Sequence, residues 1–111
     1  MSRTGYWLTY DLGIDGDYDG LYAWLDSVQA KECGDSACYF EYEVRGAEPT
    51  KAILASIKKS ATLRAKDRVY LIWPKPAGSG YKGRFIAGKR RRAPWAGYAV
   101  ESSDEDENAG D

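Results

Sequence analysis

Two stretches of the chain carry residue types that could do chemistry. In one, Tyr81-Lys82-Gly83-Arg84-Phe85 leads into Gly88-Lys89-Arg90-Arg91-Arg92-Ala93-Pro94-Trp95, so that cations interleave with aromatic rings. Such a mixture grips phosphates through its charges while bases stack on its rings. Lys82, Arg84, Lys89, Arg90, Arg91, Arg92 and Trp95 are therefore the candidate nucleic-acid-binding residues. The plainer alternative is a solvated charge run, or a local partner for the acids that follow. In the other stretch, Asp15-Gly16-Asp17-Tyr18-Asp19-Gly20, with Asp26 beyond, meets much of the calcium-loop template. Its last ligand is Asp where a bidentate Glu is wanted, and a strand precedes it where a helix should. An acidic, capped helix start is the stronger reading.

The chain contains no histidine. That excludes Ser-His and Cys-His nucleophile pairs, most zinc sites and a general base tuned near neutrality. Any catalysis falls to carboxylates, lysines, tyrosines or a hard metal ion. Cys33 and Cys38 are too few for a secreted disulfide framework, so reduced thiols are expected. The Gly78-Ser79-Gly80 loop lacks the lysine pattern of a phosphate-binding loop.

The elements that must position these residues follow from periodicity. Residues 6–11 (YWLTYD) alternate and are rich in aromatic and β-branched types, which predicts a strand ending at the turn formers Gly13, Asp15 and Gly16. Asp17 is placed to cap a helix running to about Gln29, with Leu21, Trp24, Leu25 and Val28 on one face. A short strand fits 30–33 and a strong one 37–44, where Cys38, Phe40, Tyr42 and Val44 share a face and Tyr39, Glu41 and Glu43 share the wetter one. Pro49 opens a second helix with a stripe of Ala52, Ile53, Ile57, Ser60 and Ala61. Residues 68–73 (RVYLIW) read as a central strand stopped by Pro74 and Pro76, and 81–87 as a weaker one. Tyr6, Trp7, Tyr10 and Tyr39 are expected in a core or a dimer surface.

At 111 residues and 43% hydrophobic, the chain has material for one core. The expected layout is a single domain over 1–99, with a basic segment at 82–92, and an acidic disordered tail over 100–111. A net charge of −1 hides this opposition of basic segment and acidic end. No apolar run reaches the ~18 residues of a membrane span and the first ten residues lack a signal-peptide pattern, so no membrane contact and a cytoplasmic location are expected. The order of elements predicts an α+β fold, the ferredoxin-like βαββαβ arrangement with an extra C-terminal strand. Two helices would cover one sheet face and leave an aromatic face bare, a reason to expect dimerisation.

Tyr10-Asp11-Leu12 closing the first strand, Tyr18, Leu21 and Leu25 on the helix, and the hairpin into Phe40-x-Tyr42-x-Val44 carry a family likeness. Over roughly residues 6–74 the chain resembles the SinR-like and CRISPR-associated protein 2 group of ferredoxin-like proteins, and the related virulence-associated protein D ribonucleases. The resemblance implies a homodimer with sheets packed face to face and an aspartate at the end of the first strand beside its dimer mate. In nuclease members that pair is thought to hold a divalent metal that activates water against a phosphodiester. The matching residue here is Asp11, as both catalytic and metal-binding candidate, with Mg2+ as the suited ion. The bland alternative is a strand-end Asp bonded to the turn backbone. Ser36-Ala37-Cys38-Tyr39-Phe40 departs from the nuclease pattern. Two functions are thus expected to compete: a nucleic-acid-binding homodimer, of RNA or DNA, extending to a metal-dependent endoribonuclease; and a noncatalytic protein-interaction or regulatory, antitoxin-like module.

Overall fold

The computed structural model describes residues 3–46 and 48–99. The acidic tail expected over 100–111 lies outside them. Strand β1 (Thr4–Asp11) alternates as its sequence demands, with Tyr6 and Leu8 buried and Trp7 and Thr9 turned the other way. Helix α1 (Tyr18–Ser27) buries Leu21, Trp24 and Leu25, and the Asp17 carboxylate caps it by accepting from Gly20 N at 2.9 Å. Gln29, in the left-handed region at φ 57°, ends the helical path short of the expected boundary. The short β2 (Lys31–Glu32) then pairs with β3 (Ala37–Tyr42).

Helix α2 (Pro49–Lys58) starts on its proline, whose missing N–H costs nothing in the first turn, and buries Thr50, Ile53 and Ile57. It stops before Ser60 and Ala61. Ala61 still reaches the core, because its N–H and that of Ser60 both return to the Ile57 carbonyl. Strands β4 (Arg68–Pro74) and β5 (Tyr81–Ala87) follow, joined through a short 3-10 turn at Pro76–Gly78.

The strands form one five-stranded sheet in the order β2-β3-β1-β4-β5, every neighbour antiparallel. The result is an α+β protein with two α-helices among the described residues. Tyr6, Leu8, Phe40, Leu71 and Trp73 share one core with Leu21, Trp24, Ile53 and Ile57, so both helices cover the same sheet face. Trp24 meets Phe40 edge-on at 5.2 Å and donates from Nε1 to Ser56 Oγ at 2.8 Å, tying one helix to the other. Tyr6, expected at a core or dimer surface, belongs to this core at 2% exposure and stacks on Phe40.

Two aspartates pin the loops. Asp67, 1% exposed, accepts from Gly13 N at 2.8 Å and Arg64 N at 2.7 Å. It thereby fastens the β1–α1 loop to the α2–β4 loop, and its burial is tolerable because the backbone donors replace water. Asp17 adds a second tether through Thr62 N at 2.8 Å. No helix among the described residues is long and apolar enough to cross a membrane.

Candidate nucleic-acid interface

The sheet face away from the helices carries Trp7, Thr9 and Asp11 from β1, Tyr39 and Glu41 from β3, and Arg68, Tyr70 and Ile72 from β4, by the two-residue alternation of strands. In β5 the register shifts beside Val69 and Tyr70. The alternation of β5 turns Ile86 into the core and leaves Gly83 and Phe85 on the open side, and the bulge brings Ala87 opposite Val69. Trp7 sits opposite Tyr39 on one flank and Ile72 on the other, and Tyr70 opposite Phe85. The rings gather accordingly: Trp7 is 5.0 Å from Tyr39 and 6.2 Å from Tyr81, and Tyr70 is 4.7 Å from Phe85. Neither ring group is covered by a helix, and Trp7 is 38% and Tyr81 66% exposed.

The basic segment folds back onto this face. Gly88 makes the bend at φ +74°, a conformation strained for any other residue, and passes so close to the Asp67 carbonyl that a Cβ would collide. Beyond it Arg90 lies over the rings of Tyr70 at 5.6 Å and Phe85 at 5.4 Å, and Arg68 reaches Phe85 at 5.8 Å. Successive turns closed by Ala96 N to Ala93 O and Tyr98 N to Trp95 O then place Trp95 beside them. Arg68, Phe85, Arg90, Arg91, Arg92 and Trp95 line a common cleft of about 590 Å3.

The sequence-predicted residues thus divide. Arg90, Arg91, Arg92 and Trp95 come together. Lys82 and Arg84 pair with Trp73 and Leu71 in the register and so alternate to the helix-covered side, where Arg84 Nη1 meets Glu48 Oε2 at 3.1 Å. Lys89 lines a neighbouring cleft with Lys66 and Arg91. Sequence reasoning passed over Arg68 and Tyr70, although the alternation in RVYLIW puts them on one face.

Asp11 stands at the edge of the same cluster. Its Oδ2 faces Arg68 Nη2 at 3.3 Å and Arg91 Nη2 at 3.4 Å. Asp11 is thus already paired with two cations, whereas a resident divalent ion needs acidic ligands left free for it. Among the described residues no group of three or more His, Cys, Asp or Glu converges to hold a metal. The magnesium expected at Asp11 does not fit these surroundings in one chain. In the calcium-like stretch, Asp17 is committed to backbone donors, which hold its carboxyl below the usual range, Thr62 N foremost and Gly20 N next. Cys33 is exposed, Cys38 is buried, and both are free thiols.

Comparison with protein-family models, with curated proteins and with solved structures finds none that matches this chain.

Proposed function

We propose that the chain binds single-stranded nucleic acid across the open face of its sheet. The observation that carries this is the Arg90 guanidinium lying within cation–π reach of both Tyr70 and Phe85, with Arg68, Arg91 and Arg92 around it and exposed Trp7 beyond. Ring faces and cations share one surface, which suits a strand whose bases are free to stack and whose phosphates need partners. A duplex hides its base faces, so this surface favours unpaired strands. Trp7 and Tyr70 stand on adjacent strands, two residues apart in register. At ~4.8 Å between strands and ~3.4 Å per residue their backbones are roughly 8 Å apart. That spacing fits two separate stacking stations.

The strand order, with both helices on one face, supports the ferredoxin-like assignment, β5 being the additional C-terminal strand. Binding is better supported than phosphodiester cleavage, because Asp11 is spanned by two guanidinium groups. A second copy packed sheet to sheet is the competing occupant, favoured by the exposure of Trp7 and Tyr81. In that case the face serves self-association or a noncatalytic protein interaction.

Fluorescence anisotropy of a labelled single-stranded octanucleotide tests the proposal. Binding is expected, with Trp7→Ala costing about 1–3 kcal/mol, the worth of one stacked base. Affinity unchanged in both Trp7→Ala and Arg90→Gln would refute it. A chain dimeric by light scattering, which the oligonucleotide neither binds nor dissociates, would instead place a second copy on this face.

A further inference from the structure

On the helix-covered side of the sheet, three tyrosines meet at the mouth of a separate cleft. Tyr18 and Tyr22 lie one turn apart on α1, hence on the same face, and Tyr10 reaches them from the end of β1. The ring centroids of Tyr10 and Tyr18 are 6.4 Å apart at 68°, those of Tyr10 and Tyr22 6.2 Å at 74°, and those of Tyr18 and Tyr22 5.6 Å at 56°. No pair is stacked. The three rings form the walls of a corner, in which one cation could sit within the ~6 Å of each centroid over which ring faces attract it. The corner opens on a cleft of about 740 Å3 between α1 and the β2–β3 hairpin.

Asp26, Glu32 and Asp35 line that cleft, and neither lysine nor arginine does. Glu32 is oriented by Gly34 N, which donates to its Oε2 at 2.9 Å. These carboxylates do not converge as metal ligands. They supply a diffuse negative potential instead, suited to a large, weakly hydrated cation rather than a hard ion. Tyr10 is pushed up to about 12, by burial first and by Tyr22 next, so its phenol stays uncharged.

We infer that this cleft is a binding site for an organic cation, an alkylammonium or guanidinium group, seated among Tyr10, Tyr18 and Tyr22. The tyrosine corner lies on the opposite side of the sheet from Thr9 and Asp11, while Tyr10, Asp35 and Ser36 also border the strand end where Arg68 and Arg90 gather. Its ligand is either a free polyamine or a basic side chain of a protein.

The test is an amide NMR titration of the whole chain with tetramethylammonium, against sodium chloride at matched ionic strength. Saturable shifts in residues 18–26 and 34–36 with tetramethylammonium alone are expected. Tyr22 is 51% exposed, so its replacement is tolerable to the fold, which circular dichroism checks. Tyr22→Ala should weaken binding about fivefold, whereas Tyr22→Phe, which keeps the ring, should not. Spermidine binding more tightly than N-acetyl-arginine amide supports a polyamine, and the reverse supports a protein side chain. Equal shifts with sodium chloride, or binding by Tyr22→Ala within twofold of the parent, would overturn the inference.

Discussion

Replacing Asp11 by Asn separates binding from cleavage by the sign of its effect. The Asp11 carboxylate occupies one guanidinium nitrogen of Arg68 and one of Arg91, at 3.3 and 3.4 Å. Both pairs are partly exposed, so each is weak and easily given up. If nucleic acid uses this surface, Asp11 competes with phosphate for two arginines. Asp11→Asn then releases both while keeping the side chain's shape. Each cation newly paired with a phosphate of a single strand steepens the fall of log affinity with log salt by about 0.7, so the slope should steepen by about 0.7 to 1.4. Affinity at low salt should rise several-fold. The assay is anisotropy with a labelled octanucleotide over a salt series, run with magnesium and with a chelator. An unchanged slope would refute a phosphate path past Arg68 and Arg91. Magnesium-dependent cleavage that vanishes in Asp11→Asn would establish the metal role instead.

Asp67→Ala orphans the backbone N–H groups of Gly13 and Arg64, at about 1–3 kcal/mol each, so urea unfolding should show a loss of about 2–6 kcal/mol; a loss under about 1 kcal/mol would show that water replaces the carboxylate. Asp17 is held below the usual carboxyl range by Thr62 N and Gly20 N. Its contribution is therefore complete above the ordinary pKa of about 3.9 and is lost as pH falls through the lower folded value. Asp17→Ala should lower the urea midpoint at neutral pH and flatten the decline in acid; parallel acid limbs for variant and parent would contradict this. Burial foremost, and Cys33 second, pushes Cys38 up to about 11, while Cys33 is exposed. A thiol reagent at mild alkaline pH should modify one cysteine per native chain and a second only in denaturant; two equally fast thiols would place Cys38 outside the core.

Local patterning made much of this architecture legible. YWLTYD could bury only one of its two alternating sets, and the Tyr6 and Leu8 set fits the core that Leu21 and Trp24 complete. Pro49 announced the start of α2, but its predicted stripe ran past the last helical turn, where Ala61 still reaches the core and Ser60 is exposed. Arg68 and Tyr70 escaped notice for a different reason. A run of apolar residues in RVYLIW reads as buried on both faces, and only the packing of both helices on the other face shows that among the described residues no helix covers this one. The spacing of Arg90 to Trp95 announced phosphate and base chemistry, yet the fold-back at Gly88 that sets Arg90 on Tyr70 is a tertiary event. Likewise the alternation of β5 scattered Lys82 and Arg84 from neighbours that are adjacent only along the chain.

Gly5 in β1 and Gly83 in β5 leave bare backbone, and Tyr39 from β3 and Tyr70 from β4 recline over it: a Cβ would come within 2.8 Å of Tyr39 Cε1 at Gly5 and 2.7 Å of Tyr70 Cζ at Gly83. Tyr39 and Tyr70 are consequently laid across the neighbouring strands instead of standing up from their own. Alanine at either glycine would lever a ring upright and roughen the floor, and at Gly83 it would also shift the Arg90 guanidinium that rests over Tyr70.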